Sequence, residues 1–232
     1  ICYHGVMDMF RNPKLAASVY ACEQDEIPVL QITSSMDIGE HPGCNRGNLY
    51  ILSNADSVRM YKNDRFIKEY RPEMSPYKHL KHGPILIDDF IGDALEKNER
   101  FRPKHAKEMA DAMNIVARGS LNHIPKRLYP TALKLALLYH IDFAEVTKLY
   151  TKYIGDWGGT ATVYRFDAIK NGKVIKSVTK EPVNGIRLQA EADHTNLTEH
   201  HSYDVALVRI RAVDAHGNVL PFYQEPVRIT AE

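Results

Sequence analysis

This sequence has almost no net charge. Its 30 lysine and arginine residues almost balance its 29 aspartate and glutamate residues, which leaves a net charge of +1. Proteins that bind nucleic acid or an anionic membrane surface through electrostatics concentrate basic residues in at least one region. The composition therefore predicts neither nucleic acid nor a membrane as a partner.

Long apolar runs are also lacking. The longest one, Leu133 to Tyr139, is interrupted by Lys134, whereas a membrane-spanning helix needs about 20 predominantly apolar residues. The sequence thus offers no candidate for a transmembrane segment. Its 44% apolar and 25% charged residues are typical of a globular protein.

Cysteine is scarce, and its three positions share no metal-binding spacing. Cys2, Cys22 and Cys44 cannot all pair, and no CxxC motif is present. We therefore predict free thiols, and neither a disulfide framework nor a zinc site. The sequence also lacks a phosphate-binding loop, a dinucleotide-binding fingerprint and a Ser-His-Asp arrangement, so it indicates no metal and no cofactor.

Short β-prone segments occur in the first and last thirds of the chain. Each one holds β-branched or alternating apolar residues, and turn-forming residues separate them. Lys170-Asn171-Gly172 divides two of these segments, and Asn-Gly is the strongest short signal for a β-hairpin. The predicted strands are Val29–Ile32, Leu49–Ser53, Val58–Tyr61, Phe66–Tyr70, Thr160–Ala168, Lys173–Thr179, Ile186–Ala192, Val205–Val213 and Val227–Ile229.

Helical periodicity fills the middle of the chain, from about Pro84 to Gly155. Pro103 is typical of the first turn of a helix, and Gly119 of the position just past its end. Pro130 indicates the start of a further helix.

Two more helices have terminal signals. Asp142 and Glu145 have the spacing of a capping box, although aspartate takes the place of serine or threonine, and Ile141 and Val146 occupy the positions of a hydrophobic staple. Near the N-terminus, the stretch Pro13–Cys22 shows helical spacing with proline at the first turn.

The order of strands, then helices, then strands predicts an α+β class that is mainly β. One interpretation is an antiparallel β-sandwich with a helical insertion between two strands, because an insertion at a surface loop costs little loop-closure entropy. The other is three consecutive small domains. We favour the insertion, since the first four strands alone are too few and too short to enclose a stable hydrophobic core.

The opening residues carry a family resemblance. Gly5, Val6, Asp8, Phe10, Arg11, Pro13 and Lys14 resemble the point where the catalytic TIM barrel of a family 2 glycoside hydrolase gives way to its C-terminal β-domains. The blocks Gly47–Asp64, Thr160–Thr179 and Tyr203–Ile229 resemble the β-domains that follow, although Asn63-Asp64 replaces the Asn-Gly turn of the family. No initiator methionine or signal peptide precedes these residues, which the resemblance explains if the chain is a C-terminal fragment.

The resemblance implies a domain layout. Residues 1–26 would be a remnant of the end of the catalytic barrel with its linker. Residues 27–183 would form an immunoglobulin-like β-sandwich whose helical insertion spans about 84–155. Residues 184–232 would begin a second β-sandwich, which normally continues beyond Glu232.

The resemblance also implies a function for the parent protein. Family 2 enzymes are retaining glycosidases that use two glutamates about 5 Å apart. In the family both glutamates lie on barrel strands, before the point where the barrel ends and the β-domains begin. We therefore expect a bacterial β-galactosidase-like parent, acting on a carbohydrate substrate, and a fragment that is itself inactive. Its expected partners are its own catalytic barrel and, as a further candidate, other copies in a homo-oligomer. The sequence leaves the compartment open.

Three residues are candidates for contact with the substrate. Tyr3 and His4 stand where the last barrel strand would emerge, so they could line the sugar site of the whole enzyme; a core or interface role is the alternative. Trp157, the only tryptophan, lies among glycines that could expose its indole for stacking on a sugar. Its alternative role is packing between the last helix and the returning strand.

Other polar groups have simpler explanations. Asn98-Glu99 matches the Asn-Glu pair of the family's acid/base, but it falls at the end of a charged helix and indicates a solvated surface pair. Asp88 and Asp89 could form a carboxylate pair, but a simpler expectation is that one of them caps a helix that carries Ile91 and Leu95. Histidines near acidic residues could hold a metal but lack the spacing of a known site, which indicates polar loops; they are His79, His82, His194, His200 and His201.

A second function class remains open. A stand-alone carbohydrate-binding or adhesion module of immunoglobulin-like fold would also be rich in β-structure. Such a module usually exposes several aromatic residues, whereas this sequence has one tryptophan and spreads its thirteen tyrosines mostly over predicted helices and strands. Binding to a glycan array would distinguish the two classes.

Overall fold

The computed structural model describes residues 4–37, 46–119, 124–139, 142–155 and 161–230. The chain divides into two compact units, Ile1–Pro182 and Val183–Glu232. Both contain antiparallel β-structure, and the first also contains the helices, so the predicted α+β class is correct. Within the described residues, no helix has the length and apolarity to cross a membrane.

The first unit contains a three-stranded antiparallel sheet. Its strands are β1 (Leu30–Ile32), β2 (Tyr50–Ser53) and β5 (Ile85–Leu86), in the order β1-β2-β5. The sequence predicted helical structure from Pro84 onward, so the strand at residues 85–86 corrects that boundary. The buried side chains of Ile85 and Ile87 explain the preference for an extended backbone, because β-branched residues pack well in strands.

The second sheet of this unit has four antiparallel strands. They are β3 (Ser57–Lys62), β4 (Arg65–Tyr70), β6 (Tyr164–Lys170) and β7 (Lys173–Lys180), in the order β4-β3-β6-β7. The chain leaves this sheet after β4 and returns at β6, which pairs with β3 along six residues.

Both hairpin turns of this sheet use left-handed backbone. Asn63 and Asp64 have φ of 49° and 60°, and Asn171 and Gly172 have φ of 51° and 74°. Two consecutive positive φ angles are the feature of the turn that matches strand twist in two-residue hairpins. The Asn-Gly prediction is therefore confirmed, and Asn63-Asp64 makes the same kind of turn without glycine.

Five α-helices occur in the described part of the chain. They are α1 (Leu15–Ala21), α2 (Ala94–Glu99), α3 (Pro103–Arg118), α4 (Tyr129–Tyr139) and α5 (Phe143–Tyr150), and α5 continues into a π-helical turn at Thr151–Gly155. Pro103 begins α3 and Gly119 follows its end, as predicted. The Asp142 carboxylate caps α5 by accepting a hydrogen bond from the Glu145 amide at 2.7 Å. Ile141 of the predicted staple lies outside the described residues.

The predicted cap of α2 is wrong in one respect. Asp89 does not start a helix; its carboxylate accepts hydrogen bonds from the amides of Ile91 and Gly92 at 2.9 and 3.0 Å, which closes a turn. The same oxygen accepts a hydrogen bond from the Asn114 side chain of α3 at 2.9 Å. The helix begins only at Ala94, because this contact between distant residues holds the preceding backbone in a turn.

One hydrophobic core of the first unit joins both sheets and helices α2 to α5. It includes Met60 and Phe166 from the larger sheet, Ile51 from the smaller one, and Met109 and Leu149 from α3 and α5. Phe166 has no exposed surface. These four helices therefore contribute to the same core as the strands, whereas α1 buries none of its residues.

The second unit contains a two-stranded antiparallel sheet within its described residues. It pairs β8 (Arg187–Ala192) with β9 (Val208–Val213). All six residues of β8 are exposed. The last predicted strand is wrong, because Val227 and Ile229 lie in irregular structure; this stretch has two apolar residues in alternation but no partner strand beside it.

Candidate functional site

The structure places one of the three predicted substrate contacts. His4 is exposed, and its backbone carbonyl accepts a hydrogen bond from the Lys14 ammonium group at 3.5 Å. Tyr3 and Trp157 lie outside the described residues. A shared sugar site for these three residues therefore stays a prediction.

The residues around His4 form a tight turn. The Asp8 carboxylate accepts hydrogen bonds from the amides of Phe10 and Asn12, both at 2.8 Å, and from the Asn12 side chain at 2.9 Å. The hydrogen bonds from Asn12 hold the pKa of Asp8 below its usual value. A bridge between Met7 and Pro13 closes the turn, so this stretch has a defined shape.

This turn and α1 present an exposed apolar surface, which we call the N-terminal surface. It consists of Met7, Met9, Phe10, Leu15 and Tyr20, whose exposed fractions run from 48% for Leu15 to 87% for Met9. Helix α1 buries none of its residues. Several exposed apolar side chains within one short segment are typical of surfaces that contact another protein or domain.

Asn54 anchors the segment that follows α1. Its side-chain amide donates to the carbonyls of Gln24 and Ile27 at 2.7 and 2.9 Å, and its oxygen accepts from the Val29 amide at 2.8 Å. Only 1% of Asn54 is exposed, so loss of these bonds would leave buried polar groups unsatisfied. The sequence analysis missed this role; the one signal is a polar residue between two β-prone segments.

Charged residues make a second anchor beside Asn54. The Glu23 carboxylate accepts hydrogen bonds from the amides of Lys81 and His82 at 3.2 and 3.1 Å. The Asp25 carboxylate binds the ammonium groups of Lys81 and Lys170, and these two contacts lower its pKa. The N-terminal surface is thus connected to the β-sheet unit at several points.

Cys22, the residue just past α1, is fully buried. Burial raises the pKa of its thiol to about 12, so the thiol stays protonated at neutral pH and is a poor nucleophile. Cys22 is a free thiol, as predicted; Cys2 and Cys44 lie outside the described residues.

Several carboxyl groups of the described residues are held in the ionised form by their neighbours. Glu99 of the Asn98-Glu99 pair binds the Lys152 ammonium group and the Tyr153 hydroxyl, both at 2.6 Å, and these hydrogen bonds lower its pKa. Asp88 pairs with Lys68 at 2.8 Å. A glycosidase acid needs a raised pKa, whereas hydrogen bonds from neighbouring groups lower the pKa of the carboxyl groups of Asp8, Asp25, Glu69, Asp93, Glu99, Glu108, Asp193, Asp204 and Asp214.

The histidine-rich loop of the second unit contains short polar contacts. His194 Nδ1 lies 2.9 Å from an Asp193 carboxylate oxygen, and its Nε2 lies 3.7 Å from one of Asp204. His200 and His201 are exposed. In the part of the chain that the structure describes, no group of three His, Cys, Asp or Glu side chains could hold a metal ion.

Known proteins match part of this sequence. A β-galactosidase from Thermoanaerobacter pseudethanolicus (strain ATCC 33223 / 39E) is 38% identical over 88 residues, which are 37% of this chain and 12% of the relative. A β-galactosidase from Thermoanaerobacterium thermosulfurigenes is 38% identical over 91 residues, which are 38% of this chain and 13% of the relative. Part of this chain is related to β-galactosidases. The chain spans about an eighth of the length of these two relatives.

No family model matches the chain. The crystal structure of a β-glycosidase from Bacteroides vulgatus aligns with 94% of this chain and 18% of its own chain, at a TM-score of 0.47 and 11% sequence identity. This likeness is too low to carry an argument about function.

Proposed function

We propose that this chain is a non-catalytic C-terminal region of a bacterial β-galactosidase-like enzyme of glycoside hydrolase family 2. In this proposal residues 27–183 are an immunoglobulin-like domain with a helical insertion, and residues 184–232 belong to a second β-domain. The observation that carries the proposal is the 38% identity to two β-galactosidases over 88 and 91 residues. The sequence blocks that resemble the β-domains of the family support the same assignment.

The N-terminal surface gives this region a role. Met9 and Phe10 are exposed on a tight turn, at positions that resemble the end of a family 2 barrel. In the parent enzyme they would pack against the catalytic barrel, and the anchors at Asn54 and Asp25 would transmit that contact to the β-sheets. The region would thereby support the barrel without touching the scissile bond.

The chemistry of the carboxyl groups supports an inactive fragment. A retaining glycosidase needs one carboxylic acid that stays protonated near neutral pH and one carboxylate nucleophile about 5 Å away. Lysine and tyrosine neighbours stabilise the ionised forms of Glu99 and Glu108, which makes both groups poor general acids.

The first prediction is that the isolated chain does not hydrolyse nitrophenyl β-galactoside. Release of nitrophenol would be followed at neutral pH with the purified 232-residue chain, and a β-galactosidase would serve as positive control. Turnover that disappears on substitution of a single Glu or Asp would overturn the proposal. Specific retention of the chain on one class of glycan in an array would instead favour a carbohydrate-binding module.

A further inference from the structure

Helix α4 has an almost entirely apolar sequence. Among its residues Tyr129–Tyr139, only Lys134 carries a charge. Helices that are apolar all round are normally buried on all sides, because an exposed helix in water carries a polar face. The apolar residues of α4 would therefore be expected to be buried on more than one face of the helix.

One side of α4 is packed within its own unit. Leu135 is buried, and Lys134 binds the Glu108 carboxylate of α3 at 2.5 Å. The Tyr139 hydroxyl donates to the same carboxylate at 3.0 Å, and the Tyr139 ring stacks on His105 at 3.4 Å between centroids. The only charged residue of this helix therefore lies on the side that faces α3.

The outer side of α4 remains apolar and exposed. Tyr129, Leu133 and Leu137 are 59%, 61% and 64% exposed, and they recur every four residues, so they form one ridge along the helix. The exposed Ala132 and Ala136 lie beside this ridge and leave a shallow groove. Ridges of one helix pack into grooves of another, so a face with a leucine ridge beside small alanines suits packing against a second helix.

The charges that flank α4 favour an antiparallel arrangement of two copies. Lys126 and Arg127 are exposed just before the helix, and Asp142 and Glu145 are exposed just after it. When two such helices pack antiparallel around their Leu133–Leu137 segments, the basic end of each faces the acidic end of the other. A parallel arrangement would instead place like charges together, which is unfavourable.

We propose that α4 is the contact surface between two copies of this chain, packed antiparallel across a two-fold axis. In such an interface the same patch serves both copies, so each leucine ridge fills the alanine groove of the other helix. The apolar face of α4 would then be buried on both sides, as its sequence requires.

Sedimentation equilibrium of the full chain over a range of concentrations tests this proposal. We expect a reversible dimer, and we expect Leu133→Glu to raise its dissociation constant roughly a hundredfold, because a buried unpaired carboxylate opposes association. Leu197→Glu is the matched control: Leu197 is 60% exposed, almost as much as Leu133 at 61%, and its substitution should leave the dimer intact. Circular dichroism would establish that both variants are folded.

A charge exchange tests the antiparallel geometry. Lys126→Glu and Glu145→Lys should each weaken the dimer, by roughly two- to tenfold, and the double variant should restore it because each copy then presents exchanged ends. A chain that stays monomeric at all concentrations, or a dimer that survives Leu133→Glu, would overturn the proposal. Weakening by both single variants without recovery in the double variant would overturn the antiparallel arrangement.

Discussion

At the scale of single residues, His82 is unusual for a histidine. It is 8% exposed, and neither ring nitrogen makes a hydrogen bond within the described residues. The charged groups around it are Glu23, Asp25, Lys81 and Lys170, and the nearest carboxylate oxygen, of Asp25, lies 3.9 Å from Nε2. Burial, followed by the charge of Lys81, lowers the pKa of His82, so the folded protein favours the neutral imidazole.

This environment predicts a pH-dependent stability. Because the pKa of His82 is lower in the folded state, the unfolded chain binds the proton more tightly. The contribution of the neutral imidazole is complete above the unfolded pKa of about 6.5 and declines as the pH falls through the folded value. We expect urea unfolding to give a wild-type free energy that falls from about pH 7 to about pH 5, and a smaller fall for His82→Leu.

The same experiment has an internal control on the same loop. His79 is exposed, so His79→Leu should keep the pH dependence of the wild type. At pH 8 His82→Leu should be neutral or stabilising, because no hydrogen bond to the ring is lost. An unchanged pH dependence in His82→Leu would show that its imidazole is not the source.

At the scale of elements, local signals predicted some helices and turns well and others poorly. The ends of α3 and the cap of α5 follow from Pro103, Gly119 and Asp142, because each acts within one helical turn. The two-residue strand β5 has too few residues for any periodicity. The late start of α2 depends on the bond between Asp89 and Asn114 of α3, which no local pattern reports.

The hairpin between β6 and β7 yields an element-scale prediction. Gly172 has a φ of 74°, and a Cβ atom added there would meet no other atom within 4 Å. Gly172→Ala should therefore cost only the left-handed backbone strain, about 1–2 kcal/mol, measured by urea unfolding. Gly185 also has open space, but its φ lies outside the left-handed region, so Gly185→Ala should be within about 0.5 kcal/mol of the wild type. Equal effects of the two variants would contradict this assignment of strain.

At the scale of the whole molecule, an irregular segment of chain joins the two compact units. The boundary lies between Pro182 and Val183, and the residues from Val183 to Ile186 are exposed and outside any strand. Proteases of low specificity cut preferentially in such segments. We expect brief digestion with subtilisin to release a stable fragment that ends near Pro182, which mass spectrometry would identify. First cleavage within β3 or β6 would contradict this division.

At the candidate site, the exposed residues could be predicted from the sequence, but the contacts that hold them in place could not. The resemblance of Val6, Met7 and Met9 to the end of a barrel predicts that they are exposed, disordered, or covered by the β-domain or a neighbouring molecule. Met7 and Met9 are exposed, whereas Val6 is partly buried. The anchors behind them could not be predicted, because Asn54 binds Gln24 and Ile27 and Asp25 binds Lys170 across long stretches of chain. Such contacts depend on the completed fold and leave no local pattern in the sequence.

The pairing of β3 with β6 also has a consequence for synthesis on the ribosome. About 100 residues separate Lys62 from its partner Tyr164, and translation adds about 5–20 residues per second. The hairpin of β3 and β4 therefore waits roughly 5–20 seconds with one edge of β3 unpaired, while α2 to α5 are made. An open strand edge is a template for aggregation, so the nascent chain passes through a vulnerable interval that ends only when β6 emerges.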